Sequence, residues 1–306
     1  MKSRPVGNSD LVVSVVGLGT NNFGSRIDLE QTRAVVDAAL DAGITLIDTA
    51  DIYGGGESER FIGEALKGRR DQVVLATKFG GDRQGKGGGS REYIFQAVEA
   101  SLSRLQTDWI DLYQYHFPDG ETPIEETLSA VDELVQQGKV RHIGSSNFSA
   151  AQVEEAEEVS RREGLARFIS AQNHYSLLER EVERELVPAC QRLGIGVIPY
   201  FPLAHGLLTG KYRRGQPPPE GSRLAGRPER LTDDAFDQVE ALERYAEERG
   251  RTLLEVAIGG LEARPAVASV IAGATKPGQV RENAEAGAWE PSPEDLAALD
   301  EVLGAQ

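Results

Sequence analysis

VVLATKFGGDRQGKGGGSREYIFQAVEASLSRLQTDWIDLYQYHFPDGETPIEETLSAVDELVQQGKVRHIGSS, residues 73–146, sets out the plan of the chain. VVLATK (Val73 to Lys78) is a short apolar run and reads as a strand. Arg91 to Leu105 carries apolar residues at helical spacing, and WIDLYQYH (Trp109 to His116) reads as the next strand with its C-terminal end. Pro123 to Gln136 is again helical, with the proline at or near the first turn, where a missing N–H costs nothing. VRHIGSS (Val140 to Ser146) is a third strand. Strands that are apolar on both faces and alternate with helices belong to a parallel sheet covered by those helices.

The alternation extends both ways. Toward the N-terminus lie a strand at Val12 to Gly19, a helix at Glu30 to Asp41, a strand at Ile44 to Asp48 and a helix at Ser58 to Leu66. Toward the C-terminus, Ser149 caps a helix running to about Gly164, and FISAQN (Phe168 to Asn173) is the sixth strand. A helix at Glu181 to Leu193 leads to a seventh strand at Gly196 to Tyr200. Helices at Asp233 to Arg249 and Leu253 to Leu261 precede the eighth strand, Val267 to Gly273. A helix at Gln279 to Ala286 and a last short one started by Pro293 and Glu294 complete the chain. Eight strand–helix units predict a (β/α)8 TIM barrel, with residues 1–306 forming a single domain. The polar stretch Gly215 to Thr232 is too short for a second domain and reads as a mobile loop over the site.

Composition narrows the function. The 306 residues carry 33 basic and 49 acidic side chains, a formal net charge of -16, which argues against a nucleic-acid partner. A single cysteine, Cys190, permits no intrachain disulfide and suits a reducing compartment. The first residues lack the apolar stretch and cleavage site of a signal peptide. No window approaches the ~20 apolar residues that span a bilayer, so the expectation is a cytoplasmic protein with no membrane partner.

In a barrel the chemistry stands at the C-terminal ends of the strands. Those ends hold Asp48 with Tyr53 just beyond, Lys78, His116, Ser145, Ser146 and Asn147, Gln172 and Asn173, and Tyr200. A lysine straight after VVLAT is partly buried and needs a counter-charge, which Asp48 on the neighbouring strand supplies. An ammonium close to a phenol lowers the tyrosine pKa, so Tyr53 is expected to act as a general acid near neutral pH, with His116 bonding a substrate oxygen. The set suits proton delivery to a carbonyl oxygen while hydride reaches the carbon. Singly, Tyr53 reads as a turn residue, Asp48 and Lys78 as a structural pair, and His116 as a satisfied polar group; their conjunction on adjacent strand ends favours chemistry. Phe23, Phe79, Phe117 and Phe201 read equally as pocket lining or core.

Other motifs weigh less. GGDRQGKGGG at 80–89 lacks the context of a phosphate loop, GLGTNNFG departs from the Rossmann spacing, and the four histidines are scattered without a metal-binding pair, so no metal is expected. DIYGGGESE at 51–59 places Ser58 and Glu59 at a helix start, which is capping chemistry. GATKPGQVRENAE at 273–285 is a strand end, a turn and a helix start, whose backbone N–H groups can hold phosphate. Lys276 adds charge there, Gln279 and Asn283 share one helix face, and Arg281 points elsewhere as a solvated residue.

The chain resembles the aldo-keto reductase family over essentially its whole length, through GLGTNNFG, DTADIYGGGESERFIGEAL, VVLATK, DLYQYHFPD, GKVRHIGSSNFS, AQNHYSLLERE, PYFPLAHGLLTGKY and IAGATKPGQVRENAEA in order. The resemblance implies a barrel that binds NADPH in extended form without a Rossmann domain and reduces a small carbonyl substrate. It implies a catalytic tetrad of Asp48, Tyr53, Lys78 and His116. It places Ser146, Asn147 and Gln172 around the nicotinamide amide, Tyr200 stacked on its ring, and the segment from Leu203 to Lys211 along the pyrophosphate. Gly273, Thr275, Lys276, Gln279 and Asn283 match the adenosine end with its 2′-phosphate, and Gly19 and Thr20 the edge of the first strand. The chain departs from the family pattern at Phe201, where many relatives have serine, and at Gln279, where better-known mammalian members have arginine, which leaves more of the phosphate to Lys276. The tail after Glu290 is short, which implies a more open substrate pocket. Two alternatives stand beside this reading: a nicotinamide-binding redox sensor or accessory subunit with little turnover, as some relatives are, and a barrel hydrolase using Asp48 and Glu59 as paired carboxylates. The fold itself requires no second subunit.

Overall fold

The apolar run Val12 to Gly19 does not form one strand, because Ser14 breaks it. Its Oγ donates to the Val16 carbonyl at 2.7 Å and accepts the Thr45 N–H at 2.9 Å, bending the chain between two short strands. β1 (Ser3–Pro5) pairs antiparallel with β2 (Val12–Ser14) in an N-terminal hairpin, and β3 (Val16–Gly19) enters the main sheet. The computed structural model describes residues 1–81 and 87–304. Residues 82–86 of the glycine-rich segment lie outside the described residues, as do 305 and 306.

The main sheet continues through β4 (Leu46–Asp48), β5 (Val74–Phe79), β6 (Ile110–Tyr115), β7 (Val140–Ser146), β8 (Phe168–Gln172), β9 (Gly196–Val197) and β10 (Val270–Gly273). These strands and β3 form one sheet of eight, ordered β10-β3-β4-β5-β6-β7-β8-β9, with every pairing parallel. The circle closes where Val197 donates to the Ala266 carbonyl at 2.7 Å and Ala268 donates back to Val197 at 2.8 Å. β9 is shorter than its apolar run because Pro199 has no N–H to extend the ladder. The expected (β/α)8 TIM barrel is present.

Ten α-helices lie among the described residues: α1 (Leu29–Asp41), α2 (Glu57–Ala65), α3 (Arg91–Leu105), α4 (Ile124–Gln136), α5 (Ala150–Glu163), α6 (Leu186–Leu193), α7 (Asp233–Glu248), α8 (Leu253–Glu262), α9 (Pro277–Ala286) and α10 (Pro293–Leu303). Reciprocal caps fix several starts: Asp28 with Gln31, Ser149 with Gln152, Thr252 with Glu255 and Ser292 with Asp295. Each such cap contributes about 1 kcal/mol. No helix among the described residues is long and apolar enough to cross a membrane.

Alternation along the strands divides the barrel into an outer and an inner face. Leu18, Ile47, Leu75, Tyr113, Ile143 and Val197 point outward into the large core beneath the helices. Leu46, Ala76, Leu112 and Ile198 point inward, where they meet Val6, Leu11 and Val13 of the hairpin. The hairpin thus plugs the N-terminal mouth with apolar side chains. One pitch further along β4, β5 and β6, the inward positions are Asp48, Lys78 and Gln114, so the interior turns polar toward the C-terminal mouth. α10 packs on α7 through Leu299 and through the Tyr245 hydroxyl, which donates to the Asp295 carbonyl at 2.8 Å, and none of its residues lines the mouth.

Candidate active site

Asp48 ends β4, and Lys78 reaches it from the penultimate position of β5. Lys78 is fully buried, and its ammonium donates to Asp48 Oδ2 and to the Thr49 carbonyl, both at 2.7 Å. Burial pushes the Lys78 pKa down, but the Asp48 carboxylate and the Tyr53 hydroxyl outweigh it and hold the lysine above its ordinary value. The group is therefore a permanent cation at neutral pH.

Tyr53 comes to this pair by backbone conformation. Gly54, Gly55 and Gly56 follow it with φ of 59°, 67° and 94°, a left-handed path that turns the chain sharply into α2. A Cβ on Gly54 would lie 2.8 Å from the Phe23 carbonyl oxygen, so the turn also has no room for a side chain. The Lys78 ammonium sits 5.1 Å from the centre of the Tyr53 ring. Burial raises the Tyr53 pKa, Lys78 lowers it, and burial prevails, so the phenol lies above its ordinary value. This corrects the expectation of a lowered pKa: Lys78 offsets the penalty of burying a phenolate without reversing it. The consequence is a tyrosine that holds its proton at neutral pH beside a cation that eases its release. His116 stands edge-on to Tyr53, with ring centres 5.9 Å apart, and stacks on Phe117 at 4.3 Å.

The helix after this turn starts at Glu57, with Gly56 as its cap, so Ser58 is not the capping residue expected. Its hydroxyl instead bonds Thr20 Oγ1 at 3.0 Å and Thr49 Oγ1 at 2.9 Å, tying the ends of two strands, β3 and β4, to the start of α2. Glu59 is buried outside the barrel, where it accepts from Thr77 Oγ1 at 2.6 Å and from Arg104 Nε at 2.7 Å. It is a structural anion and no partner for Asp48, which removes the basis of the paired-carboxylate hydrolase.

Above the tetrad, Asn147 adopts φ 61°; its Nδ2 donates to the His116 carbonyl at 2.9 Å and to Ser146 Oγ at 3.2 Å. The Tyr200 hydroxyl donates to Asn147 Oδ1 at 2.7 Å, and His174 stacks on the Tyr200 ring at 5.5 Å and 7°. Tyr200 is thereby held as a flat wall. Gln172 donates its amide to Asp48 Oδ1 at 2.8 Å, so this side chain is engaged with the tetrad as well as with the cavity.

These residues open onto a cavity of about 660 Å³. Its walls include Asp48, Tyr53, His116, Ser146, Asn147, Gln172, Tyr200 and Leu203, then Gly19 and Thr20, and at the far end Gly273, Thr275, Gln279 and Asn283. Gln279 accepts from the Thr275 N–H at 2.8 Å, which shapes the start of α9. Lys276 is exposed beside Thr275 and is not among the wall residues, and Arg281 faces a separate groove. Phe117 and Phe201 line the cavity, whereas Phe23 and Phe79 are buried in the core.

Two features were not singled out from the sequence. Gln114 is fully buried and donates to Asp48 Oδ1 at 3.2 Å. It lies on β6 two residues before His116, which stands just past the strand end, so the strand period of two carried the signal. The second feature is the lip of the cavity. Arg223, from the polar stretch 215–232, donates to Asn22 Oδ1 at 2.9 Å and lies over the Phe201 ring at 5.3 Å. Burial and the neighbouring Arg26 and Arg227 lower its pKa. Among the described residues Arg26, Lys211, Arg223, Arg227 and Arg230 form no ion pair with a carboxylate, although Arg213 and Arg214 nearby do. Of these, Arg26, Lys211 and Arg223 line the cavity, which gives it a cationic rim in a chain of net charge -16.

A sequence model of the Aldo/keto reductase family matches residues 15–303. The chain is similar to a probable voltage-gated potassium channel subunit beta of rice (Oryza sativa subsp. japonica), with 36% identity covering 94% of this chain and 91% of that protein. It is similar to the aldo-keto reductase YhdN of Bacillus subtilis at 36% identity, covering 99% and 94% respectively. It is also similar to an L-glyceraldehyde 3-phosphate reductase of Escherichia coli at 35% identity, covering 94% and 87%.

Proposed function

Because this chain belongs to the aldo/keto reductase family, we propose that it reduces an aldehyde or ketone to the alcohol with NADPH. The observation that carries the reading is the buried Asp48–Lys78 pair beneath Tyr53, opening with His116 onto one continuous cavity. Bound nicotinamide supplies the hydride. The chain's own residues supply the proton and the geometry. Tyr53 donates its O–H proton to the carbonyl oxygen, Lys78 stabilises the phenolate left behind, and Asp48 keeps Lys78 charged and in place. His116, beside the Tyr53 ring, orients the carbonyl toward the acid.

The donor set fits an extended phosphorylated cofactor. Tyr200, fixed by Asn147 and His174, offers a flat face for a nicotinamide ring. Ser146, Asn147 and Gln172 stand where its amide needs partners, with Gly19 and Thr20 at the strand edge. Leu203 to Lys211 with Arg223 suit a pyrophosphate, and Gly273, Thr275, Gln279 and Asn283 of the cavity wall suit the adenosine end, with Lys276 exposed beside them. Lys276, exposed beside Thr275, offers a cation to the 2′-phosphate that distinguishes NADPH from NADH.

Tyr53→Phe tests the reading. Turnover should fall by about 10²–10⁴-fold, while NADPH binding followed by fluorescence stays near that of the parent. Full activity in the variant, or loss of cofactor binding with the fold intact, refutes the role.

The similarity to channel β subunits favours a second reading, an accessory subunit that binds the cofactor with little turnover. Stable co-purification with a membrane protein, together with negligible turnover across a carbonyl panel, would establish it over the first.

A further inference from the structure

Asp48 carries three donors, and only one of them is the lysine. Lys78 occupies Oδ2, while Oδ1 accepts from Gln172 Nε2 at 2.8 Å and Gln114 Nε2 at 3.2 Å. The Gln114 amide is held from its other side. Its Oε1 lies within 3.4 Å of Gln172 Nε2 and 3.5 Å of Ser170 Oγ, which leaves the nitrogen turned to Asp48. Gln114 and Ser170 are fully buried and Gln172 nearly so. β7 makes room for this layer with Gly144, where a Cβ would lie 2.1 Å from Ser170 Oγ and 3.3 Å from Gln114 Cγ. Filling the space alone asks for an apolar side chain, because a buried amide carries a desolvation cost that only its hydrogen bonds offset.

We propose that Gln114 is a positioning residue for the reductive step: it shares the charge of Asp48, so that Lys78 remains available to Tyr53, and it locks Gln172 into the same layer. The inference rests on the reading of Tyr53 as the acid. A carboxylate that accepts two neutral N–H bonds on one oxygen draws the ammonium on its other oxygen less strongly. Without Gln114, Lys78 is held more tightly by Asp48 and stabilises the Tyr53 phenolate less. The Tyr53 pKa then rises and the acid weakens. The groups that act on Tyr53 are Lys78, Asp48 and Asp51, with His116 against its ring and Tyr200 across the cavity. Gln114 reaches Tyr53 through Asp48 and Lys78.

The experiment uses the full chain carrying Gln114→Leu and, separately, the near-isosteric Gln114→Glu, with thermal unfolding to confirm the fold. kcat for carbonyl reduction is measured across pH, and NADPH affinity by fluorescence. Tyrosine labelled with ¹³C at Cζ reports the Tyr53 phenol directly, its signal assigned by loss in Tyr53→Phe. Gln114→Leu should lower kcat about tenfold and move both the alkaline limb and the Tyr53 titration upward by about one pH unit, with NADPH affinity changed less than about twofold. Gln114→Glu, whose carboxyl is held protonated beside buried Asp48 and can donate its O–H to Oδ1, should keep both closer to the parent than Gln114→Leu does. A folded Gln114→Leu variant whose Tyr53 titrates with the parent overturns the proposal, whatever its rate, because a side chain that only fills space leaves the phenol unmoved. A parent protein without carbonyl turnover overturns the proposed function instead, and the phenol titration still decides the role of Gln114.

Discussion

Lys78→Met leaves the Asp48 carboxylate buried without its cation. Lys78 is 0% and Asp48 3% exposed, so solvent cannot replace the lost partner. Removing one member of a buried ion pair costs about 3–5 kcal/mol. Gln114 and Gln172 still donate to Oδ1, which places the expected loss near the lower end, about 3 kcal/mol. Against a total stability of about 5–15 kcal/mol this is a large fall in the urea midpoint. The double variant Asp48→Asn with Lys78→Met removes the stranded charge and should recover about 2 kcal/mol. Turnover should be lost in both, because neither restores the cation beside Tyr53. The Lys78 pKa, raised despite burial, also sets a pH signature. A base whose folded pKa is raised contributes stability fully present below its unfolded value, near about 10.4, and lost as pH rises through the folded value. The parent should therefore lose stability above about pH 10.4 by a term that Lys78→Met lacks. Lys78→Met as stable and as active as the parent, or a double variant no more stable than the single, refutes this account of the pair.

Two further perturbations follow from the same geometry. Asp51, whose Oδ1 is shut off from solvent without a partner among the described residues, has its pKa raised to about 6 by burial and then by Glu59. Between about pH 4 and 6 the folded chain holds a proton that the unfolded chain releases, so this group costs stability as pH rises through that window. Asp51→Asn keeps an acceptor for the Tyr93 hydroxyl and should gain about 2 kcal/mol at pH 7 and flatten the pH dependence of unfolding between pH 4 and 6; an unchanged slope contradicts it. Arg223→Gln should weaken NADPH binding about tenfold and make it less sensitive to salt, as read in fluorescence titrations at low and high ionic strength; equal salt dependence in both proteins removes the rim from cofactor binding.

Most of the architecture was legible because its signals are local. Arg91 to Leu105 and Val140 to Ser146 carry complete periodicity, and α5 carries a serine start and a Gly164 stop, so their bounds are as read. The N-terminal hairpin was not legible, since Val12 to Gly19 is apolar apart from Ser14 and its two glycines, and Ser14 breaks it through a bond to Thr45, 31 residues away. β9 was read too long because the consequence of Pro199 depends on the ladder to β10. At the site, the strand-end rule placed Asp48, Lys78, His116 and Tyr53 together, but the net direction of the Tyr53 pKa depends on how far burial exceeds the pull of Lys78, a balance that no residue pattern states. The cationic rim was missed for a similar reason: Arg26 and Arg223 are far apart in sequence, and only the fold brings both to the lip of one cavity.

Titrating the purified chain with NADPH and NADH tests most directly whether this barrel holds a nicotinamide cofactor for carbonyl reduction. Intrinsic fluorescence should report tight NADPH binding and markedly weaker NADH binding, as expected if Lys276, exposed beside Thr275 at the far end of the cavity, takes the 2′-phosphate. A folded protein that binds neither cofactor contradicts the account.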